Sequence, residues 1–474
     1  MATYLRSGGF RSQNWKISST QRKCVMKKKL LSTAIAAGMG MGLMSTAAQA
    51  VYVNPQGTGQ VLLYPYYSAE NGNDSYIQVV NTSDVGKVVK VRFLESKNSD
   101  EVLDFNLYLS AHDVWAGAVT ATADGGAKIV TSDNSCTTPG ISSEGEAFRT
   151  FEFTGDDDQS VARTAQGHLE IIGMADILPG SGLEGLIEHV DGAPTGCADI
   201  PADLSGSGDL LPFGSTGDGA GLYGFSQLVN VEEGVAAKLD ATALADFNDT
   251  TLWTQSGSTS PSLEDVTTDA IIFDGSSARI LDALDGDNVS AVLMTQDIQN
   301  SYVVDEEINA GTDWIVTFPT KFLYSEGDPA GDPLAPFTSV WDGDKACESV
   351  SPTVFDREER MMGGGTTVDF SPTPPDEQGP QLCYEANVIT FNDSNVIGAS
   401  NSKNISSDYT SGWMNLAFDQ GQAMDVDEAG TTVTMNGLPA IGYSVVKYTN
   451  GTIGGVVRNY MGASAHKETP SLGN

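Results

Sequence analysis

Four histidines, His112, His168, His189 and His466, are the chain's only imidazoles. General-base chemistry would therefore run through them or through carboxylates. No serine lies in a G-x-S-x-G turn, and no pair of histidines has the His-Glu-x-x-His spacing of a zinc protease. His112 adjoins Asp113, but neighbours in a strand point to opposite faces. His168 falls at the start of a strand-like run, where a packed or hydrogen-bonded ring is expected. A Ser-His-acid triad assembles in space, and no spacing here points to one. Gly363-Gly364-Gly365 lacks the lysine of a phosphate loop. Glycoside hydrolysis needs two carboxyl groups about 5–9.5 Å apart, and 62 acidic residues offer no means of choosing a pair. The densest mixed-charge cluster, Asp356-Arg357-Glu358-Glu359-Arg360, reads as surface ion pairs worth about 0–1 kcal/mol each.

Two weaker patterns remain. Asp156-Asp157-Asp158 and Asp282, Asp285 and Asp287 are candidate calcium ligands, because hard cations take six to eight oxygens and acidic loops supply them. Asp425-Val426-Asp427-Glu428 is a third such loop. None has the EF-hand frame. Tyr64-Pro65-Tyr66-Tyr67 and Trp115 are the candidate ligand-contact aromatics. Tyr64 and Tyr66 would share one strand face. Pro65 cannot donate to a ladder, which favours an edge strand whose tyrosines cap a sandwich over a ring platform.

The amino terminus carries an export pattern. Residues 1–25 precede a natural start at Met26. Lys27-Lys28-Lys29, the apolar run Leu30–Met44 and Ala48-Gln49-Ala50 then read as a secretory leader over 26–50. The run is short of the roughly 20 residues of a membrane span, and none is expected after it. Eight of the 25 Lys+Arg and none of the 62 Asp+Glu precede residue 51. The remainder thus carries 17 basic against 62 acidic side chains, a formal charge of −45. Such a surface repels nucleic acid and anionic lipid. Cys136, Cys197, Cys347 and Cys383 remain after cleavage, an even number in an exported chain. The expected pairing is local, Cys136–Cys197 and Cys347–Cys383, one bridge to each half. With no C-x-x-C spacing, zinc is disfavoured.

The positioning elements are strands. Tyr76–Val80, Lys87–Leu94, Leu103–Leu109 and Val114–Val119 alternate with period two. Val89, Val91 and Phe93 lie on one face, with Lys90 and Arg92 on the other. Further strands are expected at Phe148–Phe153, His168–Met174, Tyr223–Val231, Ala236–Asp240, Trp314–Pro319, Tyr384–Phe391, Trp413–Phe418 and Ile441–Tyr448, with a hairpin turning at Glu232-Glu233-Gly234. Ser290–Tyr302 is the best helix candidate. Breaks fall at Pro201–Asp218, Thr254–Asp265, Ser325–Phe337 and Met362–Gln381. The order of strands over 59–120 resembles exported immunoglobulin-like modules. The expected fold is mainly β: two immunoglobulin-like or related β-sandwich domains, 51–265 and 266–474, with long Gly/Asp-rich loops and few helices.

The segments GQVLLYPYYS, VKVRFLESKNSDEVLDFNLYLS, TDWIVTFPTKFLY, VFDREER, LCYEANVITF, SGWMNLAFD and GLPAIGYSVVKYTNG resemble a group of exported proteobacterial proteins labelled only as cell-surface or hypothetical proteins. The resemblance spans nearly all of the chain past the leader. It implies export and a β-rich fold, and no activity. The expectation is an exported, non-enzymatic cell-surface or matrix protein acting by contact with surface proteins, polysaccharide or itself. A carbohydrate- or calcium-binding module and a periplasmic or secreted hydrolase are the alternatives.

Overall fold

Period-two segments that bury both faces must lie inside a stack of sheets, and this arrangement dominates the computed structural model. It describes residues 49–204, 213–214, 221–273, 277–283, 285–361, 380–419 and 421–472. Residues 1–48, most of the Pro201–Asp218 break and the glycine- and proline-rich segment 362–379 lie outside the described residues. In chain order the strands used below are β1 (Ala50–Val53), β2 (Val61–Ser68), β3 (Asn73–Asn81), β4 (Gly86–Glu95), β5 (Glu101–Leu109), β6 (Val114–Ala121), β7 (Ala127–Val130) and β8 (Gln166–Ile177). They continue with β9 (Leu222–Asn230), β10 (Val235–Asp240), β11 (Thr242–Ala245), β12 (Asp269–Phe273), β13 (Ala278–Leu281), β14 (Met294–Val303) and β15 (Ala310–Thr317). The last six are β16 (Ser351–Asp356), β17 (Ala386–Phe391), β18 (Ser411–Ala417), β19 (Ile441–Tyr448), β20 (Tyr460–Ala465) and β21 (Lys467–Pro470). The fold is mainly β.

A ten-stranded sheet runs β13-β12-β1-β11-β2-β8-β4-β5, with short strands added at Cys136–Thr138 and Phe213–Gly214. A six-stranded sheet, β10-β9-β3-β6-β7 and Glu146–Ala147, packs on it. Their shared core joins Leu62, Tyr64, Val91, Phe93 and Phe105 of the first sheet to Ile77, Val79 and Trp115 of the second. A second pair of sheets follows. One is β16-β18-β14, extended by Leu438–Pro439 and β21; the other is Lys403–Ile405, β17, β15, β19 and β20. Ile298, Met414 and Leu416 from one face Trp314, Val316 and Ile389 from the other. Two further cores draw on residues either side of position 265. One places Tyr66, Leu228 and Leu239 with Ile315, Val388 and Val445. The other joins Val51, Leu63 and Leu244 to Met294, Val426 and Met435.

The YPYY stretch is the largest correction. β2 is no edge: it lies between β11 and β8 and is buried along its whole length. Pro65 is tolerated because β11 pairs only Val61–Leu63, and the β8 register shifts between Gly167 and Leu169. This bulge falls where the proline's missing donor would otherwise break the ladder. It also re-aims the side chains. Tyr64 and Tyr67 both enter the first core, while Tyr66 turns toward the second pair of sheets. The carbonyl of Pro65 then accepts a 2.6 Å bond from Thr317 Oγ1. The stretch is therefore a joint between the two sandwiches.

Other expectations shift with context. Lys90 and Arg92 do lie opposite Val89, Val91 and Phe93, but that face is buried as well, and both cations are ion-paired to Asp104, Glu101 and Glu170. Phe148–Phe153 is no strand; Phe151–Phe153 forms a 3₁₀ turn. Ser290–Tyr302 divides between a short helix, Gly286–Leu293, and strand β14. Ile298 and Tyr302 point into the core from that strand, and its pairing to β18 overrides the weak helical stripe. The strands at Tyr223, Trp314, Trp413 and Ile441 and the Glu232–Gly234 hairpin appear where expected.

Both local disulfides are present: Cys136–Cys197, 61 residues apart, and Cys347–Cys383, 36 apart. Replacing Cys136 and Cys197 together by serine is expected to cost about 2–5 kcal/mol. Equilibrium urea unfolding would read it, and a loss below about 1 kcal/mol would refute a stabilising role for that bridge.

Candidate functional site

The aromatic residues picked from the sequence are not at the surface. Tyr64, Tyr66 and Trp115 are all fully buried. The Tyr64 hydroxyl donates to the Gln78 carbonyl at 2.8 Å, and that of Tyr66 to Gln166 Oε1 at 2.9 Å. Burial holds both phenols well above their ordinary pKa. Trp115 packs against Phe105, with ring centroids 5.8 Å apart. These rings fill cores and cannot meet a ligand.

Their size nevertheless creates an aromatic surface elsewhere. β9 reads Leu222-Tyr223-Gly224-Phe225-Ser226-Gln227-Leu228. Gly224 lies under Tyr64: a Cβ there would come within 2.0 Å of the tyrosine hydroxyl. The Ser226 hydroxyl donates to the Tyr66 carbonyl at 3.2 Å. Small residues must therefore face inward, and alternation puts Tyr223, Phe225 and Gln227 outward. The register aligns them with the outward residues of neighbouring strands. Phe225 lies opposite Gln78, itself opposite Ala116; Gln227 lies opposite Tyr76, itself opposite Ala118. Tyr223, Val80 and Val114 make the next row.

The outer face of the six-stranded sheet is thus a floor of alanines flanked by rings and amides. Tyr76 is 36% exposed and Tyr223 40%. The Tyr76 and Phe225 centroids are 6.4 Å apart, tilted by 43°. Lys238 Nζ sits 4.5 Å over Phe225 and 2.5 Å from Asp240, so the β10 margin is charged but internally neutralised. Beside Tyr76 a shallow trough of about 600 Å³ runs over Ala116 and Ala118 to Thr131, Ser132 and Asp133, whose carboxylate is taken up by the Ala116 and Ser135 amides. A flat ring next to short side chains accepts the apolar face of a ligand, and amides and hydroxyls both donate and accept. The outward alternation of Tyr76 and Gln78 was visible in the sequence. The inward demand of Tyr64 on Gly224 was not, since it spans 160 residues.

The candidate calcium residues are spread among protein contacts. Asp156 takes 2.6 Å from Arg163 and 2.9 Å from the Trp341 indole. Asp158 lies 3.3 Å from Lys97. The Asp157 amide donates to the Gly343 carbonyl. Asp287 accepts from the Tyr324 hydroxyl at 2.6 Å. Asp285 begins the short helix at positive φ, and the amide of Asp282 bonds the Asp427 carbonyl. Among the described residues no three or more His, Cys, Asp or Glu side chains form a metal-sized group.

One histidine does meet a serine and an acid. His168 Nε2 is 2.8 Å from Ser99 Oγ, which also bonds Glu385. The serine stands between the imidazole and the carboxyl, so the histidine cannot be oriented by the acid while it takes the serine proton, as a hydrolytic triad requires. All three are buried. Burial, with Arg92 nearby, pushes His168 down to about 3, while burial pushes Glu385 up to about 8. This is a buried hydrogen-bonded chain linking β8, the β4–β5 turn and the approach to β17. Of the others, His466 bonds the Ile315 carbonyl at 2.9 Å, His112 lies 3.0 Å from exposed Asp84, and His189 lies 3.3 Å from Ser110.

No family model matches this chain, and no curated protein or solved structure matches it either. Among the described residues no helix is long and apolar enough to cross a membrane.

Proposed function

We propose that this chain is an exported cell-surface or matrix protein that acts by contact, holding a neutral polysaccharide on the outer face of its six-stranded sheet. The observation that carries the reading is the group of outward rings Tyr76, Phe225 and Tyr223, in three adjacent rows, with Tyr76 at the edge of an alanine-floored trough. A pyranose presents an apolar face to a ring and hydroxyls to Gln78, Gln227 and Thr131. The chain's excess of acidic residues argues against anionic polymers. Export is supported by the Lys27–Lys29 and Ala48-Gln49-Ala50 pattern and by two disulfides, which persist in oxidising compartments. Fractionation with intact-mass analysis tests it: the expected product begins at Val51 outside the inner membrane, and an uncleaved cytosolic chain would overturn it.

Affinity electrophoresis through gels containing neutral polysaccharides tests the binding. Wild-type chain should be retarded by at least one of them. Tyr76→Ala should weaken retardation about tenfold, the equivalent of ~1.4 kcal/mol. Unchanged retardation would refute this face as the site.

A further inference from the structure

The second sandwich carries a face of the same chemical character. Across β16, β18 and β14, Phe355 lies directly opposite Trp413, and Trp413 opposite Ser301. The two rings stack with centroids 4.5 Å apart and planes 11° from parallel, and Trp413 is 38% exposed. The next outward row along the same strands is Thr353, Asn415 and Gln299. Alternation turns the intervening Val354, Met414 and Asn300 inward: the first two are buried, and the Asn300 amide bonds the Ser464 and Ala465 carbonyls. In a chain of 62 acidic residues, these two rows hold two stacked rings, two hydroxyls and two amides and no ionisable group. Charge stands beside these rows. In the next outward row Asp297 accepts 3.1 Å from the Gln299 amide, Arg360 lies 5.4 Å over the Tyr409 ring, and Lys467 of β21 is the register partner of Gln299.

This composition selects its occupant. An anionic polymer would meet the field of the whole acidic chain, and a basic peptide would meet only Asp297 beside the rows, whose carboxylate already accepts from Gln299 and Thr469. A neutral, hydroxyl-rich chain has partners for every group: ring faces for its C–H surfaces, and amides and hydroxyls for its O–H groups. The cross-strand stack fixes the indole before binding, so little side-chain entropy is lost when a ligand covers it.

We propose that the Phe355–Trp413 face is a second polysaccharide site, so that one chain holds two glycan strands and cross-links them. The bridging rests on the reading of the six-stranded sheet as the first site. Two sites on one folded chain convert weak contacts into network formation, with avidity beyond either site alone.

The test uses the full processed chain with a soluble neutral polysaccharide that retards it in gels. Turbidity reports cross-linking, and gel retardation reports binding. Trp413→Ala and Tyr76→Ala should each keep measurable retardation, yet raise the protein concentration needed for turbidity at least about tenfold. The double variant should lose both, and Trp413→Phe should recover turbidity in part. Near-ultraviolet circular dichroism checks that each variant is folded. Turbidity unchanged in Trp413→Ala overturns the second site. If Trp413→Ala abolishes retardation while Tyr76→Ala leaves it intact, the six-stranded face fails as the first site and bridging fails with it, while the Trp413 site stands. A concentration-dependent dimer lost in Trp413→Ala, seen by sedimentation, would make a second copy the occupant and overturn the proposal.

Discussion

Replacing Arg163 by alanine is expected to cost the chain about 3–5 kcal/mol, the range for stripping the partner from buried charges. The Arg163 side chain is almost fully enclosed. Its Nε lies 2.9 Å from Glu95 Oε2, one terminal nitrogen 2.6 Å from Asp156, and the other 3.1 Å from Asp100. The guanidinium also covers Phe153, 4.1 Å from the ring centroid. One cation thus stands among three carboxylates. Burial, and then the neighbouring Glu95, already push Asp100 up to about 7 even though Arg163 opposes the shift. Without the guanidinium, Glu95 would keep only the amides of Lys97 and Asn98, at 2.7 and 2.8 Å. Asp156 would keep the Trp341 indole. Glu95 and Asp156 would then repel in a poorly solvated place, and Asp100 would hold its proton more firmly still. Arg163→Lys should fall between, because a single ammonium cannot reproduce the fork. Urea unfolding at neutral pH measures the loss, and a change below about 1 kcal/mol for Arg163→Ala would show that the carboxylates find other partners.

This cluster shows what the sequence could and could not disclose. Asp156-Asp157-Asp158 looks like a cation site because it gathers oxygens, and its main cation proves to be an arginine of the same chain. Nothing local announces that pairing, since it also needs the β4–β5 turn and Trp341 from the second sandwich. Local signals fared well where the physics is local. The period-two runs at Tyr76–Val80, Leu103–Leu109 and Val114–Val119 became strands β3, β5 and β6, and Gly234 marked the β9–β10 turn. The two short-range cysteine pairs formed as expected. Exposure is a different matter, because period two states which residues share a face and not whether another layer covers it. Tyr64 and Trp115 alternate just as Tyr76 and Trp413 do, yet the first two are buried and the last two meet water. Pro65 carries the same lesson: as a missing donor it suggests an edge, and only the bulge opposite Gly167 and Leu169 lets it sit in mid-sheet.

Stability should be greatest near pH 5 and should fall as pH rises to 8. Burial pushes Glu385 up to about 8, Glu170 up to about 7 and Asp313 up to about 6, and Asp100 behaves alike. Each binds its proton more tightly folded than unfolded. The stability it lends is fully present below its ordinary value near 4 and is lost as pH rises through 6 to 8. Two imidazoles act in the opposite sense. Burial holds His168 at about 3 and His466 at about 4, so their contribution is complete above 6.5 and is lost as pH falls toward those values. Four carboxyl groups outweigh two rings over the interval from 5 to 8, and the acidic net charge adds repulsion in the same direction. Glu385 dominates because its proton is retained over the widest interval. The amide of Glu385→Gln can still bond Ser99 and cannot ionise. That variant should unfold at a higher temperature than wild type at pH 8, by several degrees, and should match it at pH 5. Calorimetry across pH 4–9 gives both readings. A wild-type melting temperature that climbs from pH 5 to pH 8 would mean these carboxyls are ionised within the fold. A Glu385→Gln chain with an unaltered pH profile would remove Glu385 from the account.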